Sequence, residues 1–599
     1  MTSNHPLIRL RDARCTHPGA ERAALDGASL DVMPGERLCV LGANGSGKST
    51  LLMALDAMVA LESGSLEVMG AEVDAGRAGA SCARDGVALV FQRPDDQMVA
   101  GTVADDVAFG PENRAIPRAR MTELVEGALR AVGMGELAGA DPDSLSGGQR
   151  QRVALAGALA MEPRALLLDE ATSMLDGRAR GDVSRILDGL AERGVAVVQA
   201  THDMDAALRA DRVAVLDRGR IVLEGAPRDV LARVDELHGL GLEAPFAFEL
   251  AARLRARGFD LPSTGDAAAL ARALARALAP QLSSDAAGPR PPHARPPREP
   301  GALLGFDGAS FSYADPVPAR RTRRIRRPRP DADAPLAVED LSFSVEAGSI
   351  TALMGPTGAG KTTTAELACA LKLPRSGAVR VGPCDTRDIA ARRDLRRLVG
   401  YACQQPERQL FARTVREDVS FGPANLGVAG DELEGRVRRA LRDVGLEPTD
   451  ELLARSPFAL SGGQRRRVAL AGILAMDQRV LVLDEPMAGL DPAGRARMRA
   501  LLFQLRSAGR ALLLVTHSPD DAALLADRIV VLDRGRVVAD GTPAEVLAGP
   551  GGRPGDAARP EPPRALAFAR ELARLGAPVG SPLTLDALVE EVAARGPVR

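Results

Sequence analysis

The 599-residue chain carries 77 lysines and arginines, yet only Lys48, Lys361 and Lys372 are lysines. Arginine serves almost everywhere else a cation is used. Two of the three lysines stand in matching glycine-rich runs, Gly42-Ala43-Asn44-Gly45-Ser46-Gly47-Lys48-Ser49-Thr50 and Gly355-Pro356-Thr357-Gly358-Ala359-Gly360-Lys361-Thr362-Thr363. A compact ammonium and a planar guanidinium are not interchangeable, so both runs ask for the smaller cation. The spacing suits a polyphosphate. Glycines let successive backbone N–H groups turn inward around phosphate oxygens. A helix beginning at the lysine adds its positive end. Lys48 and Lys361 are expected to reach the β- and γ-phosphates, and Ser49 and Thr362 to offer hydroxyls to Mg²⁺. The pattern by itself points to a bound nucleotide.

Two carboxylate pairs follow apolar runs. Asp169 and Asp484 come after Leu166-Leu167-Leu168 and Leu481-Val482-Leu483. A carboxylate ending a buried strand lies at the edge where α/β sheets bind ligands, and there it can hold Mg²⁺ directly or through water. The next residues, Glu170 and Glu485, are placed to act as general bases on an attacking water. His202 and His517 stand 32 residues beyond those glutamates, each just past a strand-like run, where they could bond a γ-phosphate. His5, His17, His238 and His293 have no repeated counterpart.

The elements that must position these groups repeat. Loops, carboxylates and histidines recur at offsets of 313 to 315 residues, which marks a duplication. Arg37–Leu41 and Ile350–Met354 read as strands entering the glycine loops. Ala165–Leu168 and Val480–Leu483 are apolar on both faces, as buried parallel strands are. Strands alternating with helical patterns predict an α/β layer fold. Gln281–Pro300 is proline-rich and cannot build a core. The expected division is a first domain over 1–232, its helical tail over 233–280, a linker over 281–303, a second domain over 304–548 and a second tail over 549–599. The second half also carries an insertion, 316–335, with seven arginines between Arg320 and Arg329, expected to be solvated.

Bulk composition excludes several classes. Hydrophobic content of 45% and charged content of 26% describe folded domains. A net charge of -2 makes no case for nucleic acid as the main partner. No apolar run approaches the roughly 18 residues that span a bilayer. The start of the chain lacks a secretory pattern, so a cytoplasmic location is expected. The six cysteines form no C-x-x-C pair, which points to reduced thiols rather than zinc.

Two further segments narrow the chemistry, Leu145-Ser146-Gly147-Gly148-Gln149 and Leu460-Ser461-Gly462-Gly463-Gln464. Together with the loops, the Asp-Glu strand ends and the late histidines, they make the chain resemble the ABC ATPase family over nearly all of both halves. The resemblance implies two P-loop NTPase domains, each with a parallel core sheet, an antiparallel β subdomain and a helical signature subdomain. It implies ATP and Mg²⁺ as ligands. It also implies head-to-tail pairing, in which each signature closes on the other half's ATP. Site one then joins Lys48, Asp169, Glu170 and His202 to Ser461 and Gly463. Site two joins Lys361, Asp484, Glu485 and His517 to Ser146 and Gly148. The signature glycines precede the helical pattern Arg150–Met161, so their N–H groups can face a phosphate. Both sites keep every expected catalytic group, and both are expected to hydrolyse ATP.

Other residues match by position. Gln92 and Gln404 resemble the family's Q-loop glutamine, which senses Mg²⁺ and water beside the transmembrane contact. Asp176 and Asp491 resemble the D-loop aspartate. Tyr313 matches the aromatic that stacks on adenine, and His17 takes that place in the first half, a departure that weakens stacking. Phe91-Gln92-Arg93-Pro94-Asp95-Asp96-Gln97 and Asp105 to Pro111, echoed by Gln404 to Gln409 and Glu417 to Pro423, look like the ATPases of energy-coupling factor transporters. Each half ends in a similar tail, Phe246–Leu278 and Ala565–Ala594, of the kind that helps hold two such ATPases together. The resemblance implies a transmembrane scaffold subunit, a membrane substrate-binding subunit, a peripheral place on the cytoplasmic face, and vitamins or transition-metal ions as cargo. The alternative is a soluble tandem ATPase acting on ribosomes. Such proteins join their halves by a long charged helical linker, and the joint here is proline-rich. A DNA-repair or chromosome ATPase needs zinc cysteines or a long coiled coil, and neither is present.

Overall fold

Alternation and continuity of apolar residues divide the strands into two kinds. Ile8–Cys15 (β1), Leu25–Val32 (β2), Ser63–Val68 (β4) and Ala71–Glu72 (β5) include exposed positions, and they pair antiparallel in the order β2-β1-β4-β5. Arg37–Leu41 (β3), Ala165–Asp169 (β7) and Ala196–Ala200 (β8) are buried at every position. With Val87–Val90 (β6), Arg212–Asp217 (β9) and Arg220–Gly225 (β10) they build the sheet β10-β9-β3-β8-β7-β6. All its neighbours run parallel except the hairpin β9-β10. Burying each of Leu166, Leu167 and Leu168 contributes about 2 kcal/mol, so a charge at any of them would break the strand that delivers Asp169.

The second half repeats this plan. Ala302–Phe311 (β11), Val338–Glu346 (β12), Ser376–Val381 (β14) and Cys384–Asp385 (β15) pair in the order β12-β11-β14-β15. Ile350–Met354 (β13), Val399–Ala402 (β16), Val480–Asp484 (β17), Ala511–Val515 (β18), Arg528–Asp533 (β19) and Arg536–Gly541 (β20) form the sheet β16-β17-β18-β13-β19-β20. In each half helices pack on one face of that sheet, around Val107, Leu129 and Val153 with Leu166 and Leu168 in the first and around Val419, Leu441 and Val468 with Leu481 and Leu483 in the second. Each half therefore has the expected parallel core sheet, antiparallel β piece and helical piece.

The computed structural model describes residues 5–18, 22–73, 86–172, 177–279, 301–314, 334–388, 390–549 and 560–596. The chain divides into two units, Met1–Ala252 with Ser263–Asp266 and Asp491–Ala493, and Arg253–Pro262 with Ala267–Leu490 and Gly494–Arg599. The helices Val234–Gly239, Phe246–Arg255 and Ala267–Leu278 lie within the stretch expected as the first tail. Within the second unit the helix Ala267–Leu278 packs on the helix Arg564–Arg574, and Arg257 pairs with Glu590 at 2.6 Å. Such exposed ion pairs contribute about 0–1 kcal/mol, so the buried Leu270, Leu274, Leu278, Phe568 and Leu572 carry this packing. Most of the linker and nearly all of the arginine-rich insertion lie outside the described residues. The linker ends earlier than the expected 303, because Ala302 already pairs with Glu346 in β11–β12. Among the described residues no helix is long and apolar enough to cross a membrane.

Candidate functional site

Each glycine loop leaves a buried strand and turns into a helix, Lys48–Leu55 or Lys361–Ala368. The turn needs glycine. Gly47 has φ 105° and Gly360 φ 97°, the left-handed region. A Cβ at Gly47 would come within 2.2 Å of the Ala24 carbonyl oxygen, and one at Gly360 within 2.6 Å of that of Ala337. The lysines fold back over their own loops. Lys48 Nζ donates to the carbonyls of Gly42 at 2.6 Å and Ala43 at 3.2 Å, and Lys361 Nζ to those of Gly355 at 2.7 Å and Pro356 at 2.9 Å. Burial pushes the Lys48 ammonium below its ordinary value, while the charges of Glu170 and Asp169 oppose that push.

Strands β7 and β17 deliver the carboxylates. At the next residue the backbone leaves the strand in the left-handed region, with φ 47° at Glu170 and φ 52° at Glu485. Such a conformation in a non-glycine residue costs on the order of 1–3 kcal/mol and persists where the surroundings impose it. Here the neighbouring strand end imposes it: the Glu170 amide donates to Ala200 O at 2.9 Å and the Glu485 amide to Val515 O at 3.0 Å. The side chain is thereby turned off the sheet toward the histidine that follows β8 or β18.

In the first half His202 Nε2 lies 3.0 Å from Glu170 Oε1, 3.1 Å from Asn44 Oδ1 and 3.4 Å from Lys48 Nζ. Gln92 Nε2 donates to Glu170 Oε2 at 3.3 Å. Burial pushes the Glu170 carboxyl up, but the bond and charge of His202, the charge of Lys48 and the bond from Gln92 outweigh it, and the group settles below its ordinary value. It is therefore an ionised acceptor at neutral pH. Asp169 moves the other way. Burial raises it, Glu170 adds to the rise, and a hydrogen bond from Ser49 and the charge of Lys48 only partly offset this.

In the second half Thr362 Oγ1 donates to Asp484 Oδ2 at 3.1 Å, and His517 Nδ1 lies 2.8 Å from Glu485 Oε1. Burial and the neighbouring Glu485 push Asp484 up to about 6. The two histidines thus present opposite ring nitrogens to their glutamates. The halves also differ at the glutamine. Both glutamines are exposed, but no hydrogen bond joins Gln404 to Glu485 among the described residues.

A hydroxyl bonded to a desolvated carboxylate, repeated as Ser49–Asp169 and Thr362–Asp484, is a hard-oxygen donor pair that a divalent cation fits. Among the described residues no three side chains gather as a metal cage.

The signature segments lie where helices begin, and here the expected pattern is corrected. The helices run Gly147–Ala160 and Gly462–Leu474, the first beginning three residues before the expected Arg150–Met161, so the glycines are the first helical residues. Ser146 and Ser461 are the N-caps. Ser146 Oγ accepts from the Gln149 amide at 3.3 Å and Gln149 Oε1 accepts from the Ser146 amide at 2.9 Å; the second half repeats this at 3.3 and 3.1 Å. This capping box fixes the helix start, uses the third N–H of the first turn, and leaves those of the two glycines for a ligand. A Cβ at Gly462 or Gly463 would meet nothing within 4 Å. Glycine there costs about 1 kcal/mol against alanine, with no internal packing to require it.

The adenine-stacking candidates occupy equivalent places. His17 Nε2 lies 2.9 Å from Thr50 Oγ1, and the Tyr313 hydroxyl 3.0 Å from Thr363 Oγ1. Tyr313 is 60% exposed, with Phe311 against its edge at 5.1 Å. Lys372 Nζ stands 5.2 Å from its ring centre. The third lysine thus serves the second half's aromatic, a contact across 59 residues with no local pattern to announce it. Asp176 lies outside the described residues.

Comparison with known proteins follows this geometry. A family model described as ABC transporter matches residues 25–173 and 338–488. A provisionally named ABC transporter ATP-binding protein of Bifidobacterium longum is 38% identical over 542 residues, 87% of this chain and 64% of that protein. The energy-coupling factor transporter ATP-binding protein EcfA1 of Symbiobacterium thermophilum is 49% identical over 244 residues, 41% of this chain and 85% of that protein. The provisionally named HMP/thiamine import ATP-binding protein YkoD of Bacillus subtilis is 31% identical over 554 residues, 90% of this chain and 92% of its own length. With a glycine loop, an Asp-Glu strand end, a late histidine and a capped signature helix in each half, the chain belongs to the ABC transporter ATPase family and carries two of its ATPase domains.

Proposed function

We propose that the chain hydrolyses ATP at two composite sites and energises an importer of the energy-coupling factor type. The observation that carries the chemistry is the left-handed glutamate at each strand end, held against a histidine. In the proposed step Glu170 or Glu485 accepts a proton from water, the water oxygen bonds to the γ-phosphorus, and the bond from phosphorus to the β-bridging oxygen breaks to release ADP. His202 and His517 steady the γ-phosphate and the water. Lys48 and Lys361 exchange their loop carbonyls for phosphate oxygens. Ser49 with Asp169, and Thr362 with Asp484, would hold Mg²⁺, with Gln92 and Gln404 closing the set. When bound, the ion neutralises charge on the β- and γ-oxygens.

Site one pairs Lys48 with Ser461 and Gly463, and site two pairs Lys361 with Ser146 and Gly148. The free first-turn N–H groups and the unexplained signature glycines support this closure. The energy-coupling subtype is supported by the likeness to EcfA1, and the tandem layout by the likeness to YkoD along nearly its full length. On this proposal the chain sits at the cytoplasmic face of the membrane. Its partners there are a spanning scaffold and a separate substrate-binding membrane subunit, and the cargo is a vitamin or a transition-metal ion. The test is steady-state hydrolysis by Glu170→Gln, Glu485→Gln and the double variant. Each substitution should leave ATP bound, and the double variant should lose at least about 10²-fold in turnover. Unchanged hydrolysis in the double variant refutes the assignment.

A further inference from the structure

The two signature helices match closely, and two positions separate them: Ala158 stands against Ile473, and Gln151 against Arg466. Arg150-Gln151-Arg152 in the first half corresponds to Arg465-Arg466-Arg467 in the second. Gln151 is 2% exposed, and neither of its amide atoms has a hydrogen-bond partner. Arg466 is tied on every side. Its Nη1 donates to Ala488 O at 2.6 Å, and its Nη2 to Glu485 O at 3.1 Å and Pro486 O at 3.2 Å. These carbonyls belong to the stretch that begins at the strained glutamate. The same Glu485 carbonyl also accepts from the Ala488 amide at 3.1 Å, which closes a tight turn around the guanidinium.

The guanidinium faces the Q-loop segment as well. Burial pushes it below its ordinary value, and the charges of the carboxylates Glu407 and Glu485 oppose that push. In the first half the corresponding acid, Asp95, pairs instead with Arg150 at 2.9 Å. There the helix is tied to the Q-loop segment, but among the described residues Gln151 makes no tie to the stretch after Glu170. A guanidinium can serve three carbonyls from one fixed fork, which an amide cannot do.

We infer that Arg466 is a positioning residue for Glu485: it pins the backbone from Glu485 to Ala488 to the signature helix and so aims the carboxylate, which leaves the two ATP sites catalytically unequal. The inference rests on Glu485 being the base of site two. Loss of the pin lets the carboxylate wander from its productive place while the phosphate-binding groups stay put, so the rate falls and affinity does not.

The test uses the purified full chain with one base removed at a time. In the Glu170→Gln chain, where site two remains, Arg466→Gln should lower kcat at least about fivefold and change the affinity for a fluorescent ATP analogue less than about twofold. In the Glu485→Gln chain the same substitution should change the remaining turnover less than about twofold, because its target is gone. Arg466→Gln copies the residue with which the first half already folds. Arg466→Lys, which keeps the charge and loses the fork, should fall between the two. Equal losses in both chains, no loss in either, or a parallel loss of affinity and melting temperature overturns the inference. A Glu170→Gln chain without residual turnover overturns it too, by showing that the sites do not act separately. A silent Glu485→Gln removes the proposed base itself, and is recognised because it needs no change at Arg466.

Discussion

Asp484→Asn should stabilise the nucleotide-free protein at alkaline pH. Burial and Glu485 push the Asp484 carboxyl from its ordinary 3.8 up to about 6. Between those values the folded chain keeps a proton that the unfolded chain has lost, so stability falls as pH rises, and above about 6 the penalty is complete. The gap corresponds to about 3 kcal/mol. Asparagine carries no charge to desolvate, and its oxygen can still accept from Thr362. For a domain of this size the gain amounts to a rise of roughly 6–12 °C in melting temperature. Scanning calorimetry without nucleotide at pH 8 and pH 4 measures it, and the gain should shrink to under about 1 kcal/mol at pH 4. The same variant should lose Mg²⁺-dependent hydrolysis at site two, a direct trade of stability for function. A variant no more stable than the parent at pH 8, or equally stabilised at both pH values, refutes the reasoning.

Gly47→Ala and Gly360→Ala force a Cβ into a carbonyl at a left-handed position; each should cost about 2–4 kcal/mol and abolish ATP binding at its loop, read by thermal melting and equilibrium binding. Chelating Mg²⁺ should stop hydrolysis at both sites, and added Mg²⁺ should restore it; turnover that persists in chelator contradicts the Ser49–Asp169 and Thr362–Asp484 assignment. Tyr313→Ala should weaken ATP binding at site two by roughly 3–10-fold, the worth of one aromatic stack, whereas His17→Ala should cost site one less. Equal effects would mean that the imidazole grips adenine as well as the phenol does.

Much of the site was legible because its chemistry is local. The lysine loops, the Asp-Glu strand ends and the signature segments each need a few residues at fixed spacing, and the structure puts the loops and the strand ends where they were expected. Most of what was not legible depends on long-range geometry, and the start of the signature helices is the local exception. The signature helices start at Gly147 and Gly462 because serine caps and glutamine side chains close a box, and glycines in a first turn read as loop until that box is seen. The left-handed backbone at Glu170 and Glu485 depends on the neighbouring strand end. Lys372 over Tyr313 is a contact between distant segments. Arg466 was hidden in an arginine run that looks like an ordinary solvated helix face, and only the carbonyls it reaches distinguish it from Arg465.

The central claim is that each ATP is enclosed by a lysine loop from one half and a signature turn from the other. The most direct measurement is an experimental structure of the Glu170→Gln, Glu485→Gln chain with Mg²⁺ and ATP. The account predicts two nucleotides, one touching Lys48 and Ser461, the other Lys361 and Ser146. Nucleotides held by the lysine loops alone, with Ser461 and Ser146 away from both, would contradict it.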